Sequence, residues 1–79
     1  MEVEHRGEVH FLRGRALNVE SDYNEAAELE LGKATKFNLP SAWNELGECL
    51  YKKGDLSGAR SCFERALSLV SFYLDFSLV

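Results

Sequence analysis

Apolar residues along this chain recur at steps of three and four, the spacing that gathers side chains on one face of an α-helix. Four helical segments account for nearly all of it. The first runs from about Arg6 to Val19, with Val9, Leu12 and Ala16 as its expected inward stripe. Gly7 and Gly14 count against it, since a glycine inside a helix costs about 1 kcal/mol relative to alanine. The second runs from about Asn24 to Phe37, with Ala27, Leu31 and Ala34 as its stripe and Phe37 one turn on. Asp22, with Glu25 three residues later, reads as a capping box at its start. The third, Ser41 to Lys53, carries Trp43, Leu46 and Leu50. The fourth begins near Leu56 and carries Ala59, Phe63, Ala66 and Val70.

The breaks are chemically distinct. Asn18 to Tyr23 supplies turn residues, and Asn38 to Pro40 ends the second helix while Pro40 suits the first turn of the third. Gly54-Asp55 is the clearest punctuation: glycine can take the left-handed conformation that closes one helix, and aspartate can cap the next. Gly47 and the alanines of the second stripe leave room for a close helix neighbour. Glu48 with Lys52, and Arg60 with Glu64, stand at i, i+4 as opposite charges. From Leu67 to Val79 the helical phasing weakens and strand propensity rises. Two readings stand there: the last helix continues past Val70, or residues 71–79 are an apolar tail at a truncated end.

The third and fourth segments together spell Trp43-x2-Leu46-Gly47-x6-Gly54-x4-Ala59-x3-Phe63-x2-Ala66, with the turn KKGDLSGA from Lys52 to Ala59. From Ser41 to Leu69 this is similar to the tetratricopeptide repeat, a 34-residue helix-turn-helix unit. The tyrosine usual after the tryptophan is Leu50 here, with Tyr51 beside it, and Ser71 stands where the closing proline would be. Ala27, Leu31 and Ala34 repeat the spacing of Ala59, Phe63 and Ala66, but 32 residues earlier, two short of the usual period. The resemblance implies an all-α fold of about four antiparallel helices: an irregular repeat-like pair over residues 1–40, a well-matched pair over 41–70, then 71–79. The strings RGRALNV, DYNEAAELELGKATKF, AWNELGE and KKGDLSGARSCFERAL further resemble the N-terminal repeats of the Strap family of stress-responsive coactivators. That family carries a longer repeat array followed by an OB-fold domain. The resemblance implies an adaptor in nuclear stress-response transcription, with cytosolic roles as well.

Composition narrows the chemistry. The 79 residues suffice for one domain, 46% hydrophobic, and burial in so short a chain nearly cancels the entropy of ordering it. Thirteen acidic residues against nine basic ones give a net charge of −4, which argues against binding nucleic acid or anionic membrane through this segment. Cys49 and Cys62 read as small buried hydrophobes in a reducing compartment. His5 and His10 fall on different sides of a helix, so no metal site is expected. The acidic start is unlike a secretory leader, and location in cytoplasm, nucleus or both is expected. No nucleophile–base constellation and no phosphate-binding glycine loop is present, so neither catalysis nor a cofactor is expected.

Repeats of this kind stack their first helices into a concave face that grips a protein or peptide. Opposite the Trp43-Leu46-Leu50 stripe stand Asn44, Glu48, Tyr51 and Lys52, the candidate contacts. Trp43, Leu46, Gly47, Gly54, Ala59, Phe63 and Ala66 are read as structural. Relatives that clamp the C-terminal carboxylate of chaperones want an asparagine five residues past the tryptophan. Glu48 stands there and would repel a carboxylate, so a co-chaperone module is the less favoured alternative. A third reading is a truncated repeat stub that self-associates through its apolar C-terminal tail, Phe72 to Val79.

Overall fold

Four helices in two antiparallel pairs make up the structure, a computed structural model that describes residues 6–78, with side chains to residue 71. They are α1 (Arg6–Leu17), α2 (Glu25–Thr35), α3 (Pro40–Lys53) and α4 (Leu56–Leu78). α1 packs along α2 and α3 along α4; the pairs join where α2 meets α3, with a smaller α1–α3 contact. This is the all-α helical-repeat architecture expected from the periodicity. The backbone of α4 continues past Val70 to Leu78. Met1 to His5, and the side chains of Phe72 to Val79 on which the self-association reading rests, lie outside the described residues.

Local chemistry fixes the ends of the helices. Gly54 closes α3 in the left-handed conformation, φ 93°, its N–H reaching the Leu50 and Tyr51 carbonyls. Asp55 Oδ1 then accepts from the Gly58 N–H at 3.0 Å, capping α4. Both follow the sequence reading. The start of α2 does not: its cap is Asn24, whose Oδ1 accepts from Ala27 N–H at 3.1 Å, and not the Asp22–Glu25 box. Asp22 stays exposed, while the Tyr23 hydroxyl donates a hydrogen bond to the Glu28 carboxylate. The short α2–α3 link is possible because Asn38 takes φ 55°, a left-handed turn that asparagine tolerates better than most residues. Pro40 follows at the first turn of α3.

The core is built mostly from small residues. Ala27, Leu31 and Cys49 form one buried cluster, with Phe11, Tyr23 and Leu46 against it. Leu50, Ala59 and Cys62 form another, with Trp43 and Leu46 against it. Leu46 thus bridges the pairs. The α2 stripe is buried as expected, except that Phe37 lies beyond the helix, half in solvent, against Gly7.

The stripe expected for α1 is on the wrong side. Val9 and Leu12 are 42% and 53% exposed and Ala16 is exposed too, while Gly7 and Gly14 are buried. Close approach decides this. A Cβ on Gly14 would lie 2.5 Å from Leu31 Cγ, and one on Gly7 would lie 2.6 Å from the Phe37 ring. The two glycines that count against the helix on propensity are what let α1 reach α2.

Candidate partner-binding face

α3 presents three surfaces, and the four candidate residues divide among them. Trp43, Gly47 and Leu50 turn toward α4, and a Cβ on Gly47 would meet the Phe63 ring at 2.6 Å. Cys49 turns toward α2, its Sγ 3.7 Å from the Asn24 carbonyl oxygen. The remaining surface faces α1 and solvent. Glu48 and Asn44 are exposed there, and Tyr51 is 65% exposed. Asn44 also borders a cleft between α3 and α4 lined by Pro40, Ser41, Phe63, Leu67 and Val70.

Lys52 does something else. Its ammonium does not pair with Glu48. It donates to the Asn18 carbonyl at 2.7 Å, Asn18 Oδ1 at 3.1 Å and the Glu20 carbonyl at 2.6 Å. The three acceptors lie in the turn after α1, where carbonyls no longer used by the helix point outward and attract a cation. Asn18 is itself buried, and its side-chain Nδ2 donates to Glu45 Oε2 at 2.9 Å. Asn18, Glu45 and Lys52 form a polar knot that fixes α3 against α1. No local signal announces it, because its members lie far apart in the chain. The other expected pair, Arg60 with Glu64, is formed at 3.2 Å on an exposed flank.

Tying down Lys52 leaves the acidic groups of this face under-neutralised. Glu48 is held above the ordinary carboxylate range, first by loss of solvent and then by the neighbouring Glu45 charge, with Lys52 opposing. At the far edge of α3 the charges are better matched. Lys53 lies 3.2 Å from Glu28, whose carboxyl is pulled down chiefly by the Tyr23 hydroxyl, and sits 5.5 Å above the Tyr23 ring.

Cys49 and Cys62 are both buried, with thiols pushed upward by burial. That is the opposite of an activated nucleophile. Among the described residues, no three His, Cys, Asp or Glu side chains converge as metal ligands, and no helix is long and apolar enough to cross a membrane. The Trp43 indole N–H is buried without a hydrogen-bond partner.

The geometry also restores a correspondence that residue identities conceal. Gly14 touches Leu31 as Gly47 touches Phe63, so α1 and α3 use one glycine contact to hold their second helices. The tryptophan position of the second pair corresponds to His10 in the first. His10 Nδ1 lies 2.7 Å from Glu30 Oε2, a polar contact where the other pair has an apolar one. The nearly equal distances along the chain from Gly14 to Leu31 and from Gly47 to Phe63 are the signal that identifies it.

Two helix–turn–helix units joined where the second helix of one, α2, meets the first helix of the other, α3, define a helical repeat protein, and residues 40–71 match the model of the tetratricopeptide repeat. The chain is a tetratricopeptide repeat protein, a class that serves as protein-interaction modules. It is similar to tetratricopeptide repeat protein 5 of Mus musculus, 51% identical over 59 residues, which are 72% of this chain and 13% of that protein. It is also similar to tetratricopeptide repeat protein 5 of Homo sapiens, 47% identical over 68 residues, which are 84% of this chain and 16% of that protein. The chain thus spans less than a fifth of the length of either relative. No solved structure matches it.

Proposed function

We propose that this chain is the binding segment of a non-enzymatic adaptor, gripping a partner peptide on the α1–α3 face with Glu48, Tyr51 and Asn44. The observation that carries this reading is the polar knot. It holds the face rigid, so the exposed Tyr51 ring and the Glu48 carboxylate meet a partner without first being ordered. The partner chemistry follows from charge: a lysine or arginine beside an apolar side chain would relieve the Glu45–Glu48 repulsion and cover the Tyr51 ring. Lys52 contributes as framework and not as a contact.

The buried, unactivated thiols support an adaptor over an enzyme. Resemblance to stress-responsive coactivators and to tetratricopeptide repeat protein 5 supports a role among such cofactors, in the nucleus and cytoplasm.

An array of short peptides, cationic, neutral and acidic, probed with the labelled chain tests the reading. Cationic peptides are expected to bind, and both Tyr51→Ala and Glu48→Gln to weaken them at least tenfold with no loss of thermal stability. Equal binding to acidic peptides, or binding unmoved by both substitutions, would overturn it.

A further inference from the structure

The two ends of the helical stack expose apolar stripes. α1 turns Val9 and Leu12 outward, 42% and 53% exposed, and Val19 in the turn after it is 75% exposed. At the other end Phe63, Leu67 and Val70 of α4 are 36%, 67% and 41% exposed beside the cleft they share with Pro40, Ser41 and Asn44. Contiguous apolar surface of this kind marks a place where another protein surface packs.

The junction already assembled inside the chain shows what fits. α3 lies on α2 through Cys49, packed against Leu31 and Ala27, with Ala42 fully buried two turns back. Placing Gly14 on Gly47 puts Val9 and Ala16 of α1 at the positions of Ala42 and Cys49. Placing Leu31 on Phe63 puts Leu67 of α4 at the position of Thr35, which is buried in α2. One end of the stack therefore carries the α3-like half of a repeat junction, and the other end carries the α2-like half. Among the described residues α1 and α4 are not in contact with each other, so neither half is satisfied by the other there.

We propose that copies of this chain stack head to tail, α1 of one copy entering the α3–α4 cleft of the next as α3 lies on the α1–α2 pair. Such a contact joins two different surfaces and does not close on itself, so it extends with concentration instead of stopping at a dimer. It uses neither Glu48 nor Tyr51 and shares only Asn44, at the cleft's edge, with the peptide-binding face.

Sedimentation velocity of the 79-residue chain over a concentration series tests it. The sedimentation coefficient is expected to climb without a dimer plateau. Val9→Lys blocks the head and Leu67→Lys blocks the tail, both at exposed helix positions whose folding circular dichroism verifies. Each variant alone is expected to be monomeric. An equimolar mixture is expected to form a one-to-one dimer and stop, because one intact head and one intact tail remain. A wild-type chain that stays monomeric, or a mixture that does, overturns the proposal. So does a single variant that still associates, which would point to residues 72–79.

Discussion

Gly47 lies beneath the ring of Phe63 so closely that an added Cβ would sit 2.6 Å from the ring edge, and Gly14 stands in the same relation to Leu31, at 2.5 Å. The two pairs differ in what can yield. Phe63 is 36% exposed and can tilt toward solvent, whereas Leu31 is fully buried and presents its backbone N at 3.1 Å. Gly14→Ala is therefore expected to destabilise by about 1–3 kcal/mol and Gly47→Ala by less, part of each loss offset by better helix propensity. Gly32→Ala, with nothing within 4 Å, is expected to stabilise by about 0.5–1 kcal/mol. Urea melts of the three variants check the order.

Lys52 and Tyr51 are neighbours in sequence with opposite expected effects. Lys52→Met removes the donor to two carbonyls and the Asn18 amide oxygen, and is expected to cost about 1–3 kcal/mol. Tyr51→Ala, on an exposed ring, is expected to stay within about 0.5 kcal/mol of the parent. Equal melts for the two would contradict the polar knot.

The α3–α4 turn is the most specified element of the chain. Gly54→Ala forces a side chain into a left-handed backbone, φ 93°, and is expected to cost about 1–2 kcal/mol. Asp55→Ala removes the cap on Gly58 N–H, for about 0.5–2 kcal/mol. Helical content and melting temperature should fall in both.

Two carboxylates respond to pH in opposite senses. Glu48 has a raised pKa, so its charge weakens the fold above that pKa, and the penalty fades as pH falls toward the ordinary value of 4.5. Glu48→Gln is expected to raise the melting temperature at pH 7 and to lose that advantage in acid. Glu28 has a lowered pKa, chiefly through the Tyr23 hydroxyl, so its contribution is full above 4.5 and is lost as pH falls through the depressed value. Tyr23→Phe is expected to return the Glu28 titration toward 4.5, read from its side-chain carboxyl carbon resonance by NMR.

Sequence alone determined the features set by short-range chemistry. The Gly54–Asp55 turn, Pro40 at a helix start, the Ala27-Leu31-Ala34 stripe and the Trp43 to Ala66 spacing each express a local backbone or periodicity rule, and all but the α2 stripe define the second helical pair. Tertiary structure alone decided which side of α1 faces inward. Periodicity favours Val9, Leu12 and Ala16, but helix separation favours Gly7 and Gly14, and the shorter approach to Phe37 and Leu31 wins. It also decided the use of Lys52. A cation four residues from a glutamate suggests a pair on one helix, yet the turn carbonyls after α1 offer three acceptors to the single ammonium. Both outcomes depend on groups brought together from separate helices, which no window along the chain contains.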